Sequence, residues 1–349
     1  MNKLHSGINV VLLASTFLFS ISAQAQTPSF PIRADDMNLT HRIKTTNHWS
    51  GGAQALAKDM DVVRNTGGTS WDKLIAGGSA TTNADYLIYN KPVRAMAAGT
   101  VVSCWRNHPQ NIAQSKLPEV GTKIGFGGNH VAILQDDGNY AFYAHAITGT
   151  VPATLCPHNA TYLTNQQAGP WVSDAVVTGG VRVNAGDFLF NAGNSGNSSN
   201  PHLHVHIEKG GAPLDLKFAR GATTSNVGGN SAYNGPWTNL KGGALPAGEI
   251  LIWPAHSTAY WTVNNIQGEN FQAWFNHMVD SGEMPENMPC SSNGQIYNSD
   301  WVPSHGAWTA NHGMTALDLT VKNATNSANG YSLYKYWYCD SIRSAIWRK

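Results

Sequence analysis

Pro201-His202-Leu203-His204-Val205-His206-Ile207 places three histidines alternately with apolar residues. In a β-strand all three imidazoles leave from one face, about 6.6 Å apart from one to the next, while Leu203, Val205 and Ile207 face the other way. That pattern predicts a strand with one face in the core and one face carrying chemistry. Neutral imidazole is the commonest metal ligand among side chains and a common general base near pH 7. One strand can therefore set a zinc ligand beside a proton-transfer group.

Around this strand, residues 84–208 are dense in short β signals. Ala84-Asp85-Tyr86-Leu87-Ile88-Tyr89, Gly99-Thr100-Val101-Val102-Ser103, Asn129-His130-Val131-Ala132-Ile133-Leu134 and Tyr140-Ala141-Phe142-Tyr143-Ala144-His145 are separated by Gly, Asn, Asp and Pro. The spacing predicts a mainly β, antiparallel domain. Residues 216–248 turn to Gly, Asn, Ser, Thr and Pro with little periodicity and read as a linker.

Beyond it, residues 249–349 read as a smaller α+β domain made of two copies, about 249–297 and 298–349. Trp261-Thr262-Val263-Asn264 matches Trp308-Thr309-Ala310-Asn311, and the spacing from Gly282 to Cys290 echoes that from Gly330 to Cys339. Phe271, Trp274, Phe275 and Met278 sit at helical spacing, an apolar stripe for a core. His256 and His305 recur with the repeat and are expected to be structural.

At the other end, Lys3, an apolar run from Val10 to Ile21 and Ala23-Gln24-Ala25 read as a secretory signal peptide over residues 1–25. A secreted or periplasmic protein is expected, with residues 26–44 as a lead segment. The formal net charge is +1 and only 12% of residues are charged, which argues against nucleic-acid binding and against a polybasic membrane patch. No later segment is long and apolar enough to span a bilayer.

Cys104, Cys156, Cys290 and Cys339 are even in number, and an oxidising compartment predicts two disulfides. Four cysteines allow three pairings, of which Cys104–Cys156 with Cys290–Cys339 keeps each bridge within one half of the chain. Closing a loop of about 50 residues stabilises by roughly 4 kcal/mol in the chain-entropy model. The absence of Cys-x-x-Cys spacing makes a zinc–cysteine site the weaker reading.

The residues leading into the histidine strand run Val183-Asn184-Ala185-Gly186, a short apolar strand Phe188-Leu189-Phe190, Gly193-Asn194-Ser195-Gly196, then Pro201-His202-Leu203-His204. Over residues 45–210 this resembles the core of the lysostaphin/LytM-type zinc metallopeptidases. Lys91-Pro92-Val93-Arg94-Ala95 with Ala98-Gly99-Thr100-Val101-Val102, Gly128-Asn129-His130-Val131-Ala132-Ile133 and Tyr143-Ala144-His145 are similar to further family elements in the family's order. Any single piece is weakly specific; the combination is specific.

The resemblance implies a LytM-like domain over 45–215 holding one zinc ion and hydrolysing peptide bonds in peptidoglycan. It implies His204 as a metal ligand, Asp61 as the carboxylate ligand, and His145 and His202 as the non-ligand pair that moves protons and stabilises the oxyanion. In the lysostaphin branch the remaining ligand lies four residues before the aspartate, where this chain has Ala57. The wider spacing of the staphylolysin/β-lytic branch points instead to His48, in His48-Trp49-Ser50-Gly51-Gly52. Asp59, sharing a strand face with Asp61, and His206, sharing one with His204, are the fallback ligands. Two other functions stay open at this stage. One is an inactive module of the same fold that binds wall peptide or regulates a partner hydrolase. The other is an exported metalloprotease acting on proteins.

Overall fold

The computed structural model describes residues 28–38, 40–48, 51–67, 70–115, 127–161, 175–225, 227, 237–256 and 260–349. The expected signal peptide lies outside the described residues. No described helix is long and apolar enough to cross a membrane.

The protein is mainly β with antiparallel sheets, as the alternating patterns predict. Its first fourteen strands are β1 (His41–Asn47), β2 (Lys58–Gly67), β3 (Ser70–Asp72), β4 (Pro92–Arg94), β5 (Gly99–Trp105), β6 (His130–Gln135) and β7 (Tyr140–Ala144), then β8 (Arg182–Val183), β9 (Phe188–Asn191), β10 (Leu203–Lys209), β11 (Ala212–Leu214), β12 (Ala222–Thr224), β13 (Thr238–Asn239) and β14 (Ile250–Trp253). The main sheet runs β13-β12-β14-β1-β2-β10-β7-β6-β5-β8, with β3 on β2 and β11 on β10, while β4 and β9 pair separately. The histidine strand β10 thus lies between β2 and β7, inside the sheet.

Side-chain alternation decides what each face becomes. Leu203, Val205 and Ile207 of β10 join Met60 and Val62 of β2, Val131 and Ile133 of β6, and Tyr143 of β7 in the principal core. Leu203 and Val205 are fully buried, and each such side chain contributes about 1.5–3 kcal/mol on leaving water. The opposite face of the same strands carries Asp59, His204 and His206, with a small apolar patch of Ala132, Phe142 and Ala144 beside them. Cys104 of β5 is bonded to Cys156, pinning the long connection after β7 to the sheet.

The segment expected to be a linker is part of this sheet. It supplies β12 and β13, and Leu216, Phe218, Leu240 and Leu245 enter the principal core. Those four apolar residues, scattered among glycines and polar residues, show no period, yet each finds a buried site. The lead segment is likewise structural, since Phe30 and Ile32 are buried in the core and β1 pairs with both β2 and β14. The large sheet consequently extends past the expected boundary at 249, to Trp253.

The C-terminal part contains β15 (Trp261–Gln267), helix α1 (Gly268–Asp280), β16 (Glu283–Asn287), β17 (Cys290–Ser291) and β18 (Ile296–Pro303). These are followed by β19 (Trp308–Met314), helix α2 (Ala316–Ala328), β20 (Ser332–Cys339) and β21 (Ile342–Arg348). Two sheets result, ordered β15-β18-β16 and β19-β21-β20, and Cys290–Cys339 bridges them. Phe271, Trp274 and Met278 of α1 are buried in an aromatic core, where Phe271 stacks on Tyr297 with centroids 4.0 Å apart. Helix α2 begins with Thr315, whose hydroxyl accepts from the Asp318 amide, while the Asp318 carboxylate accepts from the Thr315 amide. Trp253 joins the two parts: the Arg42 guanidinium lies 3.5 Å from the centroid of its ring and the His277 ring stacks at 4.0 Å. His256, whose Nδ1 lies 3.3 Å from Asp35 Oδ1, adds a polar contact between the same two parts.

Candidate metal centre

Register brings the candidate metal-binding groups together. β10 and β2 pair antiparallel with Leu203 opposite Met60, His204 opposite Asp59 and Val205 opposite Lys58. Side chains on directly opposed residues sit about 4.5–5.5 Å apart at Cβ, so His204 and Asp59 necessarily meet. His204 Nδ1 lies 3.0 Å from Asp59 Oδ1, and His48 Nδ1 lies 3.0 Å from Asp59 Oδ2. His48 immediately follows β1, where its amide donates to Ala57 O and draws it toward the start of β2.

Ligand atoms of His48, Asp59 and His204 all lie within 4.8 Å of one another, a grouping found once among the described residues. Asp61 is outside this group, although sequence reasoning placed the carboxylate ligand there. It shares the strand face with Asp59 but lies two residues further along β2, level with His202 when the register is extended by one pair. Asp61 is partly exposed, but its Oδ1 is buried without a hydrogen-bond partner, and desolvation raises its pKa above the ordinary carboxylate value. The two aspartates share one strand face, and the cross-strand register sets Asp59, not Asp61, opposite His204.

The group suits a divalent transition metal. Two imidazole nitrogens and one carboxylate oxygen form a usual catalytic zinc donor set, which leaves the fourth position open. Donors around a tetrahedral zinc stand roughly 3.3 Å apart, given bonds of about 2.0–2.1 Å, and here the two imidazole-to-carboxylate separations are 3.0 Å. The electrostatics agree. Burial alone would raise the Asp59 pKa, but the hydrogen bonds from His204 and His48 hold the carboxyl well below its usual range, so it is an anion. The Asp59 hydrogen bond raises the pKa of partly exposed His48, whereas burial lowers that of His204.

His202 and His145 flank the centre. His202 Nε2 is 3.7 Å from Asp59 Oδ1, and its Nδ1 is 2.9 Å from the Asn200 carbonyl. The His145 ring lies 4.5 Å from that of His202, and its Nδ1 is 2.7 Å from the Ser195 carbonyl. A carbonyl accepts only, so Nδ1 carries the proton in both rings and Nε2 is the nitrogen each leaves available. His145 is 4% exposed with backbone φ of 71°. Burial, aided by His202 and His204, lowers its pKa well below the ordinary histidine value.

The glycine- and asparagine-rich motifs hold this pair in place. Gly128 has φ of +57°, and a Cβ there would run into the backbone of Ser195 and Gly196. That close approach lets the Asn129 amide donate to Ser195 Oγ at 2.9 Å, while Ser195 Oγ donates to Ala146 O at 2.8 Å. The Ser195 carbonyl then receives His145. Ser198 Oγ, 2.7 Å from Asn194 Oδ1, lies 3.2 Å from His202 Nδ1. Asn111 Nδ2 donates to the carbonyls of Gly196 and Ser198, fixing the loop from below. Ser195 and Asn129 were not singled out as site residues from sequence; their signal was the loop motif itself.

No protein-family model matches the chain, and no curated protein matches it. Solved structures similar to part of it include a zinc containing peptidase from Vibrio cholerae, at 16% identity over 55% of this chain and 39% of that one, TM-score 0.28. A candidate glycyl-glycine endopeptidase lytM from Ruminococcus gnavus matches at 19% identity over 54% of this chain and 56% of that one, TM-score 0.28. The catalytic domain of the antimicrobial peptidase lysostaphin from Staphylococcus simulans matches at 19% identity over 36% of this chain and 69% of that one, TM-score 0.20. The chain thus spans well under two thirds of the first two structures, and the weight of the functional reading rests on the site.

Proposed function

We propose that this chain is an exported zinc metalloendopeptidase acting on cell-wall peptide, with His48, Asp59 and His204 as the metal ligands. The observation that carries the reading is the meeting of three ligand atoms within 4.8 Å beside two further histidines whose Nδ1 atoms are already committed to carbonyls. When bound, zinc supplies a Lewis acid that polarises a peptide carbonyl and lowers the pKa of a water at the site.

The protein groups divide the remaining work. His202, with Nδ1 committed to the Asn200 carbonyl, presents Nε2 toward the centre, suited to take a proton from the attacking water and return it to the departing amine. His145 presents its Nε2 beside His202; it can donate to a developing oxyanion only after its ring has gained a second proton. Burial opposes that proton in the resting state, so negative charge arriving at the centre is what makes the donor available. Cell-wall peptide as the substrate follows from the motif resemblance over residues 45–210.

Purified peptidoglycan incubated with the zinc-loaded mature protein should release new amino termini, and His204→Ala should remove that release. Cleavage of casein with no release from peptidoglycan would move the substrate to protein. Cleavage of neither by a zinc-loaded chain would contradict the enzymatic reading.

A further inference from the structure

The histidine strand holds one more imidazole than the centre uses. His206 Nδ1 lies 3.0 Å from His204 Nε2, on the ring edge away from Asp59. Both rings are buried, each at 3% exposure, and Phe142 packs against them with centroids 5.1 Å from His206 and 6.1 Å from His204. We infer that His206 is a positioning residue that sets the tautomer of His204, and so decides whether His204 Nδ1 is free to hold the metal. This rests on the metal-site reading given above.

The two nitrogens of an imidazole point in diverging directions, so a group seated at Nε2 cannot reach an ion held at Nδ1. His206 is therefore excluded as a ligand in this arrangement. A ligating Nδ1 carries no proton, and the neutral ring must then carry its proton on Nε2. His206 Nδ1 is positioned to accept it. Without metal, His204 Nδ1–H donates to Asp59, and Nε2 accepts from His206 Nδ1–H. Metal uptake reverses the pair. Nδ1 of His204 gives up its proton, Nε2 carries one, and His206 moves its own proton to Nε2. A neutral imidazole can serve in both states, as donor in one and acceptor in the other, whereas a carboxylate can only accept. With no acceptor at position 206, the buried Nε2–H would be orphaned, and the tautomer with Nδ1 protonated would prevail.

The test is zinc affinity of the full mature chain, measured by competition with a chromophoric chelator, together with the visible spectrum of the cobalt-substituted protein. His206→Phe keeps the ring volume and removes the hydrogen bond, while His206→Gln keeps both an acceptor and a donor. His206→Phe should weaken zinc about ten- to hundredfold, the usual cost of losing an outer hydrogen-bond partner, and shift the cobalt bands. His206→Gln should stay within a few-fold of wild type. Should the Phe variant fail to fold, His206→Leu carries the same comparison. Apolar variants that bind zinc as wild type does would overturn the inference, as would a Gln variant as weak as they are. Both results leave the metallopeptidase reading standing, whereas a wild-type chain that takes up no zinc removes both.

Discussion

Asp59 and Asp61 show how two like residues on one strand acquire opposite characters. Asp59 is held ionised by two imidazoles, and one oxygen of Asp61 is buried and unpartnered. Because burial raises the folded-state pKa of Asp61 above its unfolded value, its contribution to stability is present at low pH and is lost as pH rises through the folded value. Asp61→Asn should therefore raise the melting temperature near pH 7.5 and leave zinc binding within a few-fold of wild type. A fall in melting temperature of several degrees, or loss of zinc, would show instead that the Asp61 carboxylate has a partner in the working protein. The chemistry at this scale was legible only in part. His48, His145, His202 and His204 could be picked out from motif and spacing, and the structure brings all four to one place. The choice between the two aspartates was not legible, because strand alternation gives them the same face and only pairing with β10 tells them apart.

Among the elements, the loops impose the strictest requirements. The Gly128-Asn129 turn and the Gly193–Gly196 loop approach so closely that a side chain on Gly128 would displace Ser195, and with it the carbonyl that orients His145. Gly128→Ala combines a left-handed conformation costing about 1–2 kcal/mol with a backbone clash costing about 1–3 kcal/mol. Peptidase activity should fall by at least tenfold while zinc, whose three proposed ligands lie outside this loop, remains bound; unchanged activity would mean that the loop does not position His145. Strands such as β6, β7 and β10 could be anticipated from their alternation. The strands between 212 and 239 could not, because β12 and β13 are three and two residues long and owe their place to β14 and to four dispersed leucine and phenylalanine side chains. Sheet pairing at long range overrides weak local preference in such segments.

For the whole molecule, the buried histidines set the response to acid. Burial holds His206 down to about 3 and His130 down to about 4, and lowers His145 and His277 well below the ordinary value. In the unfolded chain each takes a proton near pH 6.5. Between that value and the folded one the unfolded state binds more protons, so stability falls as pH drops. Each such group contributes up to about 1.4 kcal/mol per pH unit. The metal-free melting temperature should decline steadily from pH 7 to pH 4.5; a flat profile would mean that these rings are not buried in solution. His48, Asp59 and His204 are arranged to hold one ion. Its most direct measurement is the zinc content of the mature protein after dialysis, determined beside Asp59→Asn. About one zinc per wild-type chain and none retained by the variant is expected, whereas a metal-free wild type, or a variant that keeps its zinc, would rule out His48, Asp59 and His204 as the metal site.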